Sequence, residues 1–460
     1  GGSIQVMGFY QKSTNKSNLG QYFGYYAEKE KNIRDYISVT KIHDIDVPLT
    51  INETDDVLST YIIHNYEGEP DREFNTKIRF KPTQETYGIR IDYHQILFHN
   101  FFIKAAFPIV NVKNSINLST ITKVSFINIS GYPPKSLFDY LSGNLENNNP
   151  EDDDDEARDL QQALTHAKIA GAQSSSGVAD INLALGYNIW KRRGNKVDVS
   201  IIGTVPTGNE ATGEYLFEPI YGNGAHWALG GAVDSKFRLW KNSNDSLELL
   251  INFNLKYLFD NTEKRTVSLK DNDGKKLKFG HYYLVGKRGQ NELLPAANIL
   301  TQDIEVEPGL QFEGIVALAF RTKNVTFDVG YNIFAKQGEN ISLKNEWNED
   351  LYAIARIITG EVANAYGTTP NEADPDSAPF DPDAHYDRYT IPGPIKTENL
   401  DLESITSPTQ ITHKLYCGWG YAFNDWKYPL MLGLGTSFEF INCNTGLENY
   451  AIWGKIGMSF

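Results

Sequence analysis

The chain has 460 residues, with 43 Lys and Arg against 58 Asp and Glu and a formal net charge of -15. That balance disfavours nucleic acid as a partner, because phosphate binding needs clustered positive charge. Aromatic residues make up 12% of the chain, yet no run of about 18 apolar residues occurs, which excludes helical membrane spans. A chain that is polar on average still spans a membrane if its strands alternate.

The sequence opens GGSIQVMGFY, without an initiator methionine or a visible signal peptide, as a processed mature start or a cloning remnant would. Residues 3–10 are the first expected strand. Residues 11–74 contain the short runs YISVTKI and TYIIHNY, open to three readings: a loop hairpin, an inward plug, or a further pair of spanning strands. Residues 75–82 are a second candidate strand. From Gly88 to Leu97 the alternation sets Arg90, Asp92 and His94 against Ile89, Ile91 and Tyr93. Phe101–Val110, with Lys104 inward, and Leu118–Ile129 continue it.

After a long connection, 131–177, comes SGVADINLALGYNIW, with Asp180 at its start, and then the short turn KRRGNK. A second long connection, 207–225, precedes Trp227, Leu229, Val233, Phe237 and Leu239, which alternate with His226, Asp234, Lys236 and Arg238. The turn KNSND joins this run to one with Leu247 through Phe259 at every odd position and Glu248 and Lys256 among the even ones. Beyond the connection 261–303, Ile304, Val306, Leu310 and Phe312 oppose Glu305, Glu307 and Glu313, and after RTKN, Val325, Phe327 and Val329 oppose Asp328 and Lys336. The longest connection, 338–408, leads to strands from Ile411 to Phe423 and from Leu430 to Phe440, linked by NDWK. The last strand, NYAIWGKIGMSF, is apolar at alternate positions, with Trp453 on the inward parity.

Runs of this length exceed the five or six residues usual in soluble strands and suit a tilted membrane strand of about 9 to 11. Connections alternate short and long, which a soluble sandwich has no reason to do, whereas a membrane barrel has tight periplasmic turns and large external loops. The expected fold is therefore all-β: a transmembrane antiparallel β-barrel of about 14 strands, with bounds of about 12 to 16, forming one domain over residues 1–460. Tyr187, Trp227, Tyr257, Phe259, Trp419, Tyr421, Phe423, Trp426, Tyr428, Phe440 and Tyr450 fit interfacial girdles or ordinary cross-strand packing.

Ile456, Met458 and a terminal Phe460 on an alternating strand resemble the carboxyl-terminal signal of bacterial outer-membrane β-barrels. The resemblance covers the chain from about residue 86 and implies an outer-membrane location and recognition by the barrel-assembly machinery. A narrower likeness lies in SGVADINLALGYNIW, TVPTGN and GNGAHWALGGAVDSKFRLW, at Gly177, Asp180, Pro206, Thr207, Gly208, Gly222, Gly224, Gly230, Gly231 and Asp234. These positions are similar to the glycine and aspartate pattern of outer-membrane transporters of aromatic and other hydrophobic compounds, relatives of the long-chain fatty acid transporters. The amino-terminal hatch motif of the fatty acid transporters has no counterpart in the chain.

The inward charges Arg90, Asp92, His94, Lys104, Asp180, Asp234, Lys236, Arg238, Glu248, Lys256, Glu305, Glu307, Glu313, Asp328 and Lys336 suit either a pore lining that biases ion passage or a salt-bridge web that fills a narrow barrel. The first implies a porin-like channel or transporter for small solutes. The second implies a structural or adhesive surface protein with a plugged barrel that self-associates through its loops. Two acidic runs, with Asp152, Asp153, Asp154 and Asp155, and with Asp374, Asp376, Asp381 and Asp383, are solvated charge or weak Ca or Mg sites, and no complete calcium loop is present. No other cofactor is implied. Catalytic patterns are absent; His226 with Asp234 and His94 with Asp92 are the nearest approach to a barrel-rim hydrolase, and no serine or second base accompanies them. Cys417 and Cys443 are either bridged or two isolated thiols. The partners expected are outer-membrane lipid, lipopolysaccharide and, as in many barrels, further copies of the chain.

Overall fold

A computed structural model describes residues 1–14, 36–40, 75–122, 141–144, 162–277, 280–288, 293–354, 356–358, 361–363, 391, 394–442 and 446–460. Twelve antiparallel strands close into a barrel. They are β1 (Gly2–Ser13), β2 (Thr83–Ile96), β3 (Phe101–Ser115), β4 (Ile181–Arg192), β5 (Asn195–Val205) and β6 (Ala228–Lys241), then β7 (Asp245–Leu258), β8 (Gly309–Thr322), β9 (Val325–Lys336), β10 (Gln410–Phe423), β11 (Leu430–Ile441) and β12 (Asn449–Ser459). β12 returns to β1 in a register running from Ser3 opposite Ser459 to Ser13 opposite Asn449. No strand edge is left open to lipid, where unpaired backbone groups are too costly.

The segment Gln173–Val178 adds a thirteenth strand outside the closed ring. It pairs with the far half of β3 while β4 pairs with the near half, and the register shifts by one residue between them. The closed count sits at the lower bound of the sequence reading, because two expected spans are not in the wall. Asn75–Arg79 pairs with Tyr36–Thr40 and Ser119–Thr122 in a separate sheet. Among the described residues these three segments pair with one another and with no strand of the ring.

Five short turns lie at the end that carries Gly1 and Phe460, at 97–100, 193–194, 242–244, 323–324 and 424–429. At one of them Arg193 and Gly194 have φ of 51° and 86°, both left-handed, as a two-residue turn matched to the strand twist requires. Outward positions are apolar and exposed, with Leu185, Ile201, Leu229, Leu255, Val329, Leu415, Leu434 and Ile452 among them. Trp190, Trp240, Trp426 and Tyr428 are exposed at the short-turn end of this band and Trp227, Tyr257 and Phe259 at the other. Such placement suits amphipathic rings at membrane interfaces.

The opposite end carries a second apolar core. Phe80, Ile116, Leu141, Leu164, Val267, Leu269, Tyr282, Leu300, Ile354 and Leu400 are buried in one cluster, drawn from four of the long connections, with Leu216 and Phe217 of a fifth packed against it. Beneath this cluster the wall itself is extended: Asn261–Thr266, Thr301–Glu307 and Asn340–Leu343 form a three-stranded sheet continuing β7, β8 and β9.

Candidate functional site: the barrel interior

Inward positions divide the lumen into two arcs. On β3 to β8 they include long charged side chains set among small ones such as Ala184, Gly186, Ala232, Ala317 and Ala319. Lys104 on β3 reaches Asp234 on β6 at 2.5 Å, across the two strands between them. Asp234 also accepts from Asn252 on β7. Lys256 on β7 donates to Asn182 on β4 at 2.6 Å and to Thr204 on β5 at 3.4 Å. On the short-turn side, Glu248 is buried between Lys236 at 2.9 Å and Arg321 at 3.0 Å. Asp198 pairs with Lys196 at 2.5 Å and accepts from Asn188 at 2.6 Å. Charges taken out of water are tolerated when paired in this way, and the Lys104–Asp234 and Lys256–Asn182 contacts cross-brace strands that are not neighbours in the sheet.

On β9 to β12 Lys414 pairs with Glu439 at 2.9 Å, and a group of inward glycines lies nearer the short turns. Gly420 faces Gly433 and Gly418 faces Gly435 across the β10–β11 pair. A side chain at Gly435 would overlap the Trp453 indole, and one at Gly330 would overlap the Tyr416 ring. Both aromatic rings therefore occupy space that the glycines leave free. Trp453 is inward, as its parity predicts. Asp328 lies beside Gly418 on the same inner surface.

Of the other expected lining residues, Arg90 and Asp92 form a pair at 2.8 Å on β2. His94 stacks near Phe102, their centroids 5.4 Å apart, with Lys104 5.2 Å from the same ring. Glu313 accepts from Asn332 at 2.7 Å. Arg238 donates to the Arg193 carbonyl at the short-turn rim, and Lys336 donates to Ser407 at the opposite rim. Lys196, Asp198, Asn252, Arg321, Tyr416 and Lys455 also project inward; their parity was the available signal, but the partners that give them meaning lie several strands away.

Glu305 and Glu307 are corrected by the structure. They lie on the Thr301–Glu307 extension, where Ile304 and Val306 are buried in the loop core, so the two carboxylates take the outer face. Glu307 accepts from the outward Tyr257 hydroxyl at 2.6 Å. The break is at Pro308–Gly309, where Gly309 has φ of 69°, a left-handed conformation suited to glycine that inverts the inside and outside parity of the strand.

Asp180 is a rim anchor. Its carboxylate accepts from the backbone N–H of Gly208 at 3.2 Å and of Asn223 at 2.7 Å, holding the 206–227 connection to the bend between Val178 and Ile181. Burial raises its pKa against the lowering effect of those N–H groups. Gly222, with φ of 88°, passes so close that a Cβ would press on the same carboxylate.

His226 pairs with Glu263 at 2.9 Å, and Asp234 is engaged elsewhere. Its Nδ1 meets the Phe259 carbonyl at 2.6 Å. A carbonyl and a carboxylate only accept, so both ring nitrogens donate and the ring is an imidazolium. Burial depresses the His226 pKa, but Glu263 and the Phe259 carbonyl outweigh burial and raise it. Arg265 bonds Glu263 at 2.8 Å, Glu339 at 2.7 Å and the Ile405 carbonyl at 2.6 Å. This buried cluster ties three long connections to the rim.

Ile456 and Met458 are exposed on the outer face of β12, and Phe460 exchanges two backbone hydrogen bonds with Gly2 at the barrel seam. Cys417 is a free thiol on the outer wall, while Cys443, the two acidic runs and most of 11–74 lie outside the described residues. Among the described residues no group of three or more His, Cys, Asp or Glu is placed to hold a metal ion.

A closed barrel with an apolar, aromatic-girdled exterior and a polar interior defines a class: the protein is a transmembrane β-barrel of the bacterial outer membrane. No protein-family model and no curated protein sequence matches the chain. Among solved structures it is similar to an outer membrane channel from Pseudomonas putida F1, at 10% identity over 100% of this chain and 96% of that one, with a TM-score of 0.39. It is also similar to the transport unit of the autotransporter AIDA-I from Escherichia coli, at 6% identity over 100% and 89% with a TM-score of 0.36. The Ralstonia pickettii toluene transporter matches at 8% identity over 100% and 90% with a TM-score of 0.30. At such scores the fold assignment rests on the strand pairing itself.

Proposed function

We propose that the protein is a porin-like outer-membrane channel for small solutes, with a charged lumen. The observation that carries this reading is a closed ring whose interior is polar, with contacts such as Lys104–Asp234 and Lys256–Asn182 reaching across strands and Gly418, Gly420, Gly433 and Gly435 grouped on the β10–β11 pair. In this reading the outer wall meets lipid and lipopolysaccharide, and the inward charges bias which ions pass.

Single-channel recording of the purified protein in planar bilayers tests it, with selectivity taken from the reversal potential under a salt gradient. Steady conductance supports the channel. A correctly inserted but silent barrel overturns it and favours a structural surface protein, the reading that the buried core formed by the long connections would then serve.

A further inference from the structure

Resting on the channel reading, one part of the lumen departs from its surroundings. Inward charges of the braced arc, such as Lys104, Glu248 and Lys256, all have an ion-pair or hydrogen-bond partner. Asp328 on β9 has neither an ion pair nor a hydrogen bond among the described residues, and Lys455 on β12 has only the Trp453 ring, 5.1 Å from its Nζ. Both are half-buried. Leaving a charge partly desolvated without a partner is unfavourable, and two opposite charges left so on the same inner surface suggest that their partners arrive with a ligand.

The two are kept apart by the wall. Asp328 is in register with Gly418, Gly418 with Gly435, and Gly435 with Trp453. Asp328 and the β12 strand are therefore three strand spacings apart, roughly 14 Å at about 4.8 Å each. A Cβ at Gly418 would meet the Asp328 carboxylate at 2.8 Å and Cη2 of Trp453 at 3.0 Å, and one at Gly433 would meet Cε of Lys455 at 2.8 Å, so the indole ring lies within that span, beside both charges. The six-membered ring of the Trp453 indole also fills the space over Gly435.

We infer that Asp328, Trp453 and Lys455 form a binding site for small zwitterions carrying a planar apolar group: Asp328 receives the ammonium, Lys455 the carboxylate, and the indole the ring. Asp328 and Lys455 are then the specificity-determining residues of the conduit. Each charge-assisted contact is worth enough to change affinity about tenfold.

The test uses L-phenylalanine and its two singly charged analogues, phenethylamine and 3-phenylpropanoate, on the full chain. Binding is measured by calorimetry on the detergent-solubilised barrel and, independently, by block of single-channel current. L-phenylalanine is expected to bind, about tenfold more weakly in Asp328→Asn and in Lys455→Gln. Phenethylamine should respond to the first substitution alone and 3-phenylpropanoate to the second alone. Absence of calorimetric binding, or binding that both variants leave unchanged, overturns the site. A barrel that conducts ions without binding L-phenylalanine refutes the site and leaves the channel standing; a silent barrel that binds it refutes the channel and supports the site.

Discussion

The two arcs of the barrel solve different problems with the same alternation. On β3 to β8 Lys104 and Asp234, and Lys256 and Asn182, join strands that are not neighbours; on β9 to β12 inward glycines such as Gly330 and Gly435 make room for the Tyr416 and Trp453 rings. A strand's alternation decides which face meets lipid, whereas the size of each inward residue decides which side chain fills that part of the lumen.

The largest effect should come from crowding the open arc where it is already occupied. Gly435→Leu drives a side chain into the Trp453 indole and should cost about 1–3 kcal/mol or more, read as reduced yield of folded, heat-modifiable barrel on gels. Gly420→Leu, whose Cβ would meet only the Leu432 carbonyl at 3.4 Å, should fold normally. In the braced arc, Lys104→Met leaves Asp234 to Asn252 alone and should lower stability by about 1–2 kcal/mol, since both partners remain partly exposed. Thermal unfolding in detergent measures that loss.

A smaller effect concerns the rim latch and depends on pH. The raised His226 pKa contributes stability that is fully present below its ordinary value of 6.5 and is lost as pH rises through the raised folded value. Glu263, whose burial is outweighed by His226 and Arg265 so that its pKa is lowered, contributes above its ordinary 4.5 and fails as pH falls through the depressed value. Proteolysis of the 259–308 connection should therefore accelerate in alkaline buffer in the native protein, and His226→Gln should flatten that dependence. The smallest effect separates wall from extension: Glu313→Gln should shift ion selectivity, while Glu305→Gln and Glu307→Gln, on the outer face, should leave it unchanged.

Much of the barrel was legible in the sequence because alternation with a period of two is a local signal. The strands from Leu229 to Phe259 and the inward parity of Trp453 follow directly from it. The signal fails where the backbone resets it. Pro308–Gly309 turns Ile304 and Val306 into the loop core and carries Glu305 and Glu307 outward, although the alternation reads unbroken through the letters. Runs such as Asn75–Arg79 alternate too, yet pair in a sheet outside the wall. The glycine and aspartate positions around Asp180 were visible as a pattern; that they close a loop onto a bent strand required the fold, because Gly208 and Asn223 supply backbone N–H groups and no side chain. The core of the long connections left no trace, since its residues share no period.

The channel reading requires that solutes pass along β9 to β12. The direct test is single-channel conductance of the wild-type barrel beside Gly420→Phe, which adds bulk to the open arc, and Lys104→Met, which loosens the braced one. Steady wild-type conductance, sharply reduced by Gly420→Phe and little changed by Lys104→Met, is the predicted result. Conductance indifferent to Gly420→Phe but raised severalfold by Lys104→Met would contradict it and place the conduit in the charged arc.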